Sequence, residues 1–167
     1  MLRPLLFVLA VALSACGGGD GASFAPASGN MHCGVSVGKQ RITGTVTSVH
    51  DGDTITVGGE SIRLASIDAP ELDQAYGPSS RANLAAMVLG KSVTVTYAQT
   101  DRYDRVVGTV FKPDCSQVNL SQVAAGAAWY YEAYQCDIDI RQRQAYAAAH
   151  ASARTAKKGL WANAAVA

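Results

Sequence analysis

Residues Arg41 to Glu71 read RITGTVTSVHDGDTITVGGESIRLASIDAPE, and this stretch decides the fold. Arg41–Val49 alternates through Ile42, Gly44, Val46 and Ser48 and is rich in Thr and Val, the pattern of a half-buried strand. Asp51-Gly52 makes a turn, and Thr54–Val57 a second strand. Gly58-Gly59 suits a hairpin turn that tolerates positive φ, and Ser61–Ile67 reads as a third strand. The chain therefore folds back on itself. That brings Asp51-Gly52-Asp53-Thr54 up to the segment Arg63 to Glu71, so Asp53, Arg63, Asp68 and Glu71 are expected to meet. Carboxylates and a guanidinium gathered at one point are unfavourable unless a cation and a phosphate share the charge.

Beyond this stretch the period changes. Tyr76-Gly77-Pro78 opens a helix, with Ser79 or Ser80 expected near its cap and Gly90 ending it. Lys91–Tyr97 and Arg105–Phe111 read as a fourth and a fifth strand. Asn119–Ala125 is a short helix closed by Gly126, and Ile138–Lys158 a long Ala-rich one ended by Gly159. Leu160 and Trp161 are expected to fold back as an apolar plug. The order is α+β and fits a five-stranded OB-fold Greek-key barrel with three helices, an architecture that binds nucleic acids or sugars on one face.

The chain of 167 residues is 49% hydrophobic and 16% charged, a globular composition with a formal net charge of only +1. No global positive field is available to gather nucleic acid, so phosphate binding has to come from local clusters. Residues 1–15 read as a signal peptide, with Arg3 followed by the apolar run Leu5 to Leu13, too short to span a bilayer. Leu13-Ser14-Ala15-Cys16 resembles the lipobox of bacterial lipoproteins, in which Cys16 would carry lipid. Gly17 after it resembles proteins sorted to the outer membrane. Residues 16–32, rich in Gly, Ala, Ser and Pro, suit a flexible tether. The folded domain is expected over residues 33–161, with a frayed tail at 162–167. Cys33, Cys115 and Cys136 allow one disulfide in an oxidising compartment, with the pairing open.

The acidic residues suggest chemistry. Hard cations such as calcium take carboxylates, main-chain carbonyls and water together, which Asp53 and Asp68 could join. An isolated Asp-Gly-Asp is also what ordinary turns contain. Glu71, on a loop stiffened by Pro70, could orient or deprotonate a water, or could be a surface acid. Arg63 and Arg105 are the residue type that grips phosphate through a planar fork. The basic residues Arg141, Arg143, Arg154, Lys157 and Lys158 read either as a nucleic-acid track or as a solvated helix face. His32, His50 and His150 show no ligand spacing.

In order, the chain carries Asp51 to Thr54, Ile62 to Leu64, Ile67 to Glu71, Tyr76 to Pro78, Asp101-Arg102-Tyr103-Asp104-Arg105, Val118 to Leu120, Gly126 to Trp129 and Lys158 to Trp161. This series resembles the staphylococcal nuclease-like (thermonuclease) family from about Arg41 to Trp161. The resemblance implies an OB-fold endonuclease that uses Ca2+ to hydrolyse DNA and RNA, leaving 3′-phosphate ends. It implies Asp53, Asp68 and the carbonyl of Ala69 as metal ligands, Glu71 acting on the water, and Arg63 and Arg105 on the phosphate. The retained residues favour an enzyme over a non-catalytic OB-fold nucleic-acid-binding lipoprotein. Localisation on the bacterial membrane through the lipid, or secretion, and a monomeric state complete the expectation. Asp104 stands where the family usually has Gly; its charge is expected to pair with Arg105 or weaken phosphate binding. The loop from Glu71 to Tyr76 is short. The tyrosines that pack on a nucleotide are not clearly placed, with Tyr134 first and Tyr103 next as candidates.

Overall fold

A computed structural model describes residues 39–133 and 138–162. Strands β1 (Gln40–Val49), β2 (Thr54–Val57), β3 (Glu60–Leu64), β5 (Ser92–Thr100) and β6 (Val106–Phe111) close a barrel in the order β1-β2-β3-β6-β5. The β2–β3 hairpin turns at Gly58 and Gly59, whose φ of 60° and 90° only glycine adopts without strain. Val46, Ile55, Val57, Ile62, Leu64, Val93, Val95 and Val110 fill the barrel, each nearly inaccessible to solvent. The OB-type α+β barrel with three helices is present as the sequence suggests.

Register places the functional residues. Across the hairpin Thr54 faces Arg63, so Asp53 stands one residue beyond it. β3 and β6 run parallel with Ile62 opposite Val106 and Arg63 opposite Val107, which brings Arg105 to the same end of the barrel as Arg63.

The expected third strand is interrupted. Ser66 takes φ 64°, β3 stops at Leu64, and Ile67–Asp68 forms a separate short strand, β4. β4 pairs with β7 (Trp129–Tyr130), Asp68 opposite Trp129, in a small ribbon that alternation did not signal. The turn is held because Asn119 donates to the carbonyl of Ala65, and Ser66 accepts from the N–H of Tyr131.

Helix α1 (Gly77–Val88) begins after Tyr76 at φ 69°, with Pro78 in its first turn and no side-chain cap. The expected serine cap is overturned: Ser80 is fully buried and its hydroxyl donates to Ala127 O at 2.6 Å, a tie between the helix and the segment before β7. α2 (Val118–Ala124) crosses α1 and α3. α3 (Ile140–Thr155) starts two residues later than expected because Asp139 caps it, accepting from the N–H groups of Arg141 and Gln142. Leu160 and Trp161 lie in a 3-10 turn and pack with Ala153 against Tyr76 and Trp129, as the expected plug. Cys115 is disulfide-bonded. Cys33, Cys136, the signal and tether with Cys16, and the tail from 163 lie outside the described residues.

Candidate active site

Arg63 is the centre of the site. Its NH1 donates to the carbonyls of Leu64 at 2.8 Å and Ile67 at 2.9 Å, so the side chain wraps the Ser66 turn and its plane is fixed. Its NH2 meets Asp68 Oδ1 at 2.9 Å and Asp53 Oδ2 at 3.1 Å. Asp53 is buried; Oδ1 accepts from the Thr54 hydroxyl and Oδ2 from the Ala69 N–H. Burial lifts its pKa to about 7; Arg63 and the Ala69 N–H pull it down, while the charges of Asp51 and Asp68 push it up. One guanidinium shared between two acids therefore leaves a buried carboxyl short of positive charge.

Arg105 approaches the same cleft from β6. Its Nε donates to Asp101 Oδ2 at 2.8 Å, and Asp101 Oδ1 also accepts the N–H groups of Tyr103 and Arg105. Partial burial opposes ionisation of Asp101, yet these hydrogen bonds prevail and hold its carboxyl below the usual carboxylate range. The terminal nitrogens of Arg105 keep no hydrogen-bond partner among the described residues. Arg63, Asp68, Asp101, Tyr103, Arg105 and Tyr131 all line one cleft of about 800 Å³.

Asp104 corrects one of the two alternatives of the sequence reading, that it pairs with Arg105. It takes φ 59°, the left-handed backbone expected at a glycine position, but its neighbour's guanidinium pairs with Asp101 instead. Asp104 is exposed and borders a separate hollow with Glu60 and Val106.

Glu71 stands apart from the acidic pair: it is exposed and does not line the cleft. Among the described residues no three His, Cys, Asp or Glu side chains are grouped to hold a metal, so Glu71 does not join Asp53 and Asp68 as a third carboxylate ligand. Its backbone is nevertheless firmly set. Gln74 accepts the Glu71 N–H on its side-chain oxygen and donates its own N–H to the Glu71 carbonyl, both at 2.9 Å. A Cβ on Gly77 would come within 1.9 Å of that carbonyl, so only glycine lets α1 start there.

Comparison with known proteins decides the class. The profile described as staphylococcal nuclease homologue matches residues 61–163. An uncharacterized endonuclease of Escherichia coli is 46% identical over 129 residues, covering 74% of this chain and 79% of that protein. A micrococcal nuclease of Shigella flexneri is 35% identical over 130 residues, covering 71% and 72%. An uncharacterized endonuclease of Haemophilus influenzae is 36% identical over 130 residues, covering 75% and 69%.

The chain belongs to the staphylococcal nuclease family. As a nuclease it is a hydrolase acting on nucleic acid. The sequence reading gave Gln122 and Asn119, two supports of this nuclease's site, no role of their own. Gln122 is fully buried; its Nε2 donates to Gly52 O at 2.7 Å and to Ser80 O at 3.3 Å, and its Oε1 accepts from Asn83. The loop carrying Asp53 is thus held from behind by α2. Gly52 itself is required there, since a Cβ would lie 1.9 Å from the Ser80 hydroxyl. Asn119 accepts from the Val110 N–H and donates to Ala65 O and Gly108 O, tying β6 to the Ser66 turn. A buried amide on a helix leaves no periodic trace, although its polarity on an apolar face is a usable signal.

Among the aromatic candidates, Tyr103 is 64% exposed and lies between Arg102 and Arg105, with the guanidinium carbons 4.9 and 5.5 Å from its ring centre. Tyr134 lies outside the described residues. Tyr131, not singled out in the sequence, is exposed on the cleft wall. His150 is structural: its Nδ1 accepts the Tyr130 N–H at 3.1 Å.

Proposed function

We propose that this nuclease is a calcium-dependent phosphodiesterase that cleaves DNA and RNA and leaves 3′-phosphate ends. One observation carries the reading: Asp53 and Asp68 converge on Arg63 at the rim of the cleft that Arg105 enters. The donor set suits a hard divalent cation, because both side chains offer carboxylate oxygen and the buried Asp53 lacks sufficient positive charge. Asp53, Asp68 and the Ala69 carbonyl are the groups assigned to hold it, with water filling the remaining positions. Calcium held there would supply Lewis-acid charge to the phosphodiester and to the attacking water.

The protein's own groups account for the rest. Arg105, anchored through Nε by Asp101, presents its terminal nitrogens to a phosphate in the cleft. Arg63, which lines the same cleft, would face the same phosphate. Both stabilise the extra negative charge of the five-coordinate phosphorus. Glu71 is exposed and outside the cleft in this structure. Its assigned part, orienting the attacking water or taking its proton as the water oxygen bonds to phosphorus, therefore requires its side chain to turn toward the phosphate. The P–O5′ bond then breaks with its electron pair on the 5′ oxygen, which takes a proton from solvent water to become a 5′-hydroxyl, so the phosphate remains on the 3′ side. Tyr103, Tyr131 and Tyr134 are assigned to base stacking along the cleft.

The chain is further assigned to the cell exterior as a monomer, with Cys16 lipidated and residues 16–32 as the tether, the outer membrane being the favoured location. The support is the Leu13-Ser14-Ala15-Cys16 string and the small-residue composition after it. Incubating purified protein with plasmid and with RNA, in calcium and in chelator, tests the reading. Both substrates are cut only with calcium, and the fragments accept phosphate at their 5′ ends without prior phosphatase treatment. Cleavage that survives chelation, or fragments with 5′-phosphates, would refute it. Mass spectrometry of the mature N-terminus tests the lipid.

A further inference from the structure

Charge is unevenly spread over the molecule. Residues 140–162 hold Arg141, Arg143, Arg154, Lys157 and Lys158 and no Asp or Glu, in a chain of formal net charge +1. Residues 39–133 carry ten acidic residues against eight basic ones. Among the described residues none of the five basic residues on this segment forms an ion pair.

The location of this positive segment matters more than its size. α3 lies along β7: Tyr146 stacks on Tyr130 at 5.3 Å, and His150 accepts the Tyr130 N–H. At its C-terminal end Ala153, Leu160 and Trp161 pack against Trp129, the residue paired with Asp68. The same cluster packs on Tyr76, the residue from which α1 and the Glu71 loop diverge, and a Cβ on Gly159 would lie 2.8 Å from the Tyr76 hydroxyl. Arg154 lies over the Trp161 ring, 5.7 Å from its centre, a contact that orders an otherwise free side chain. Lys157, at φ 50°, and Lys158 follow, both exposed. This positive end of α3 thus sits beside the β4–β7 ribbon, next to Tyr76 at the end of the Glu71 loop.

We propose that Arg154, Lys157 and Lys158 form a phosphate-binding exosite that holds the polynucleotide beyond the scissile phosphate, on the Glu71 side. The proposal rests on the cluster around Arg63 as the place of cleavage. Long strands then gain affinity that short ones cannot reach, and the weakly charged barrel needs no other field to retain them. A phospholipid surface could also attract these cations, but it would not explain their position next to the catalytic loop.

The test uses the full chain in chelator, so that binding is read without cleavage. Fluorescence anisotropy is measured with a long single strand and with a trinucleotide, for the parent and for Arg154→Gln/Lys157→Gln/Lys158→Gln. The exosite predicts about tenfold weaker binding of the long strand and a salt slope shallower by about 2, with trinucleotide binding unaltered. Lys157→Glu/Lys158→Glu, which spares the contact on Trp161, gives the same selective loss if the effect is electrostatic rather than a folding defect. Equal loss on both ligands, or unchanged binding of the long strand, overturns the proposal. Loss of binding to phosphatidylglycerol vesicles with long-strand binding intact also overturns it, and assigns the patch to a membrane. Because no turnover is needed, failure here is separable from failure of the Arg63 cluster as the cleavage site, which Arg63→Ala kinetics report.

Discussion

At the scale of single residues, the supports behind the acidic pair are as consequential as the pair itself. Gln122 has its amide fully used between Gly52, Ser80 and Asn83. Gln122→Met keeps the volume but leaves buried carbonyls without a donor, so unfolding in urea should show a loss of about 1–3 kcal/mol. Calorimetry should also show weaker calcium binding, because the Asp53 loop loses its rear anchor. Asp104 makes a different case. Its left-handed φ of 59° serves no ion pair with Arg105. Asp104→Gly should raise stability by up to about 1 kcal/mol by removing backbone strain, read from the same urea curves. It should also lower KM for nucleic acid by removing a negative charge next to Arg105. Asp53, Arg63, Asp68 and Arg105 were legible because their motifs are contiguous and uncommon. Asp101 was not, since the sequence reading weighed only the adjacent Asp104 as a carboxylate for Arg105, and only the turned backbone brings the residue four positions back into contact.

At the scale of elements, alternation and the Gly58-Gly59 turn gave the barrel strands with errors confined to their ends. The break at Ser66 was hidden because its cause lies elsewhere: Arg63 folding back on Leu64 and Ile67, and Asn119 reaching from α2. The start of α3 was readable in principle from Asp139. Two predictions belong here. Gly77→Ala would place a methyl against the Glu71 carbonyl. Steady-state kinetics should therefore show a kcat drop of at least about tenfold, beyond what the thermal melt explains, as the Glu71 loop shifts. The docking of α3 on β7 should depend on pH. His150 must lack a proton on Nδ1 to accept from Tyr130, and burial, joined by the charge of Arg154 and opposed by Glu132, holds its pKa below 6.5. A lowered histidine pKa contributes stability above the unfolded value and loses it as pH falls through the folded value. Asp53, raised to about 7, moves stability the other way over the same interval, gaining as pH falls. The comparison is therefore between parent and His150→Gln, whose amide oxygen can still accept. The parent should lose more Tm than the variant between about pH 7.5 and 5.

At the scale of the whole molecule, a closed barrel supplies a rigid frame, and register alone carries Asp53, Arg63 and Arg105 to one end of it. The β4–β7 ribbon then adds Asp68 at the side of the site, with α3 packed behind β7. The chain keeps a buried, under-compensated carboxylate at the centre of this frame, an arrangement that stability by itself would not favour. That gives the most direct measurement: initial rates of single-strand DNA cleavage at saturating calcium for the parent and Asp53→Asn, with thermal melts in chelator alongside. The account predicts that rate falls on the order of a hundredfold or more while Tm above neutral pH is held or raised, since a neutral amide replaces a buried charge. An Asp53→Asn protein that cuts at the parental rate would contradict it.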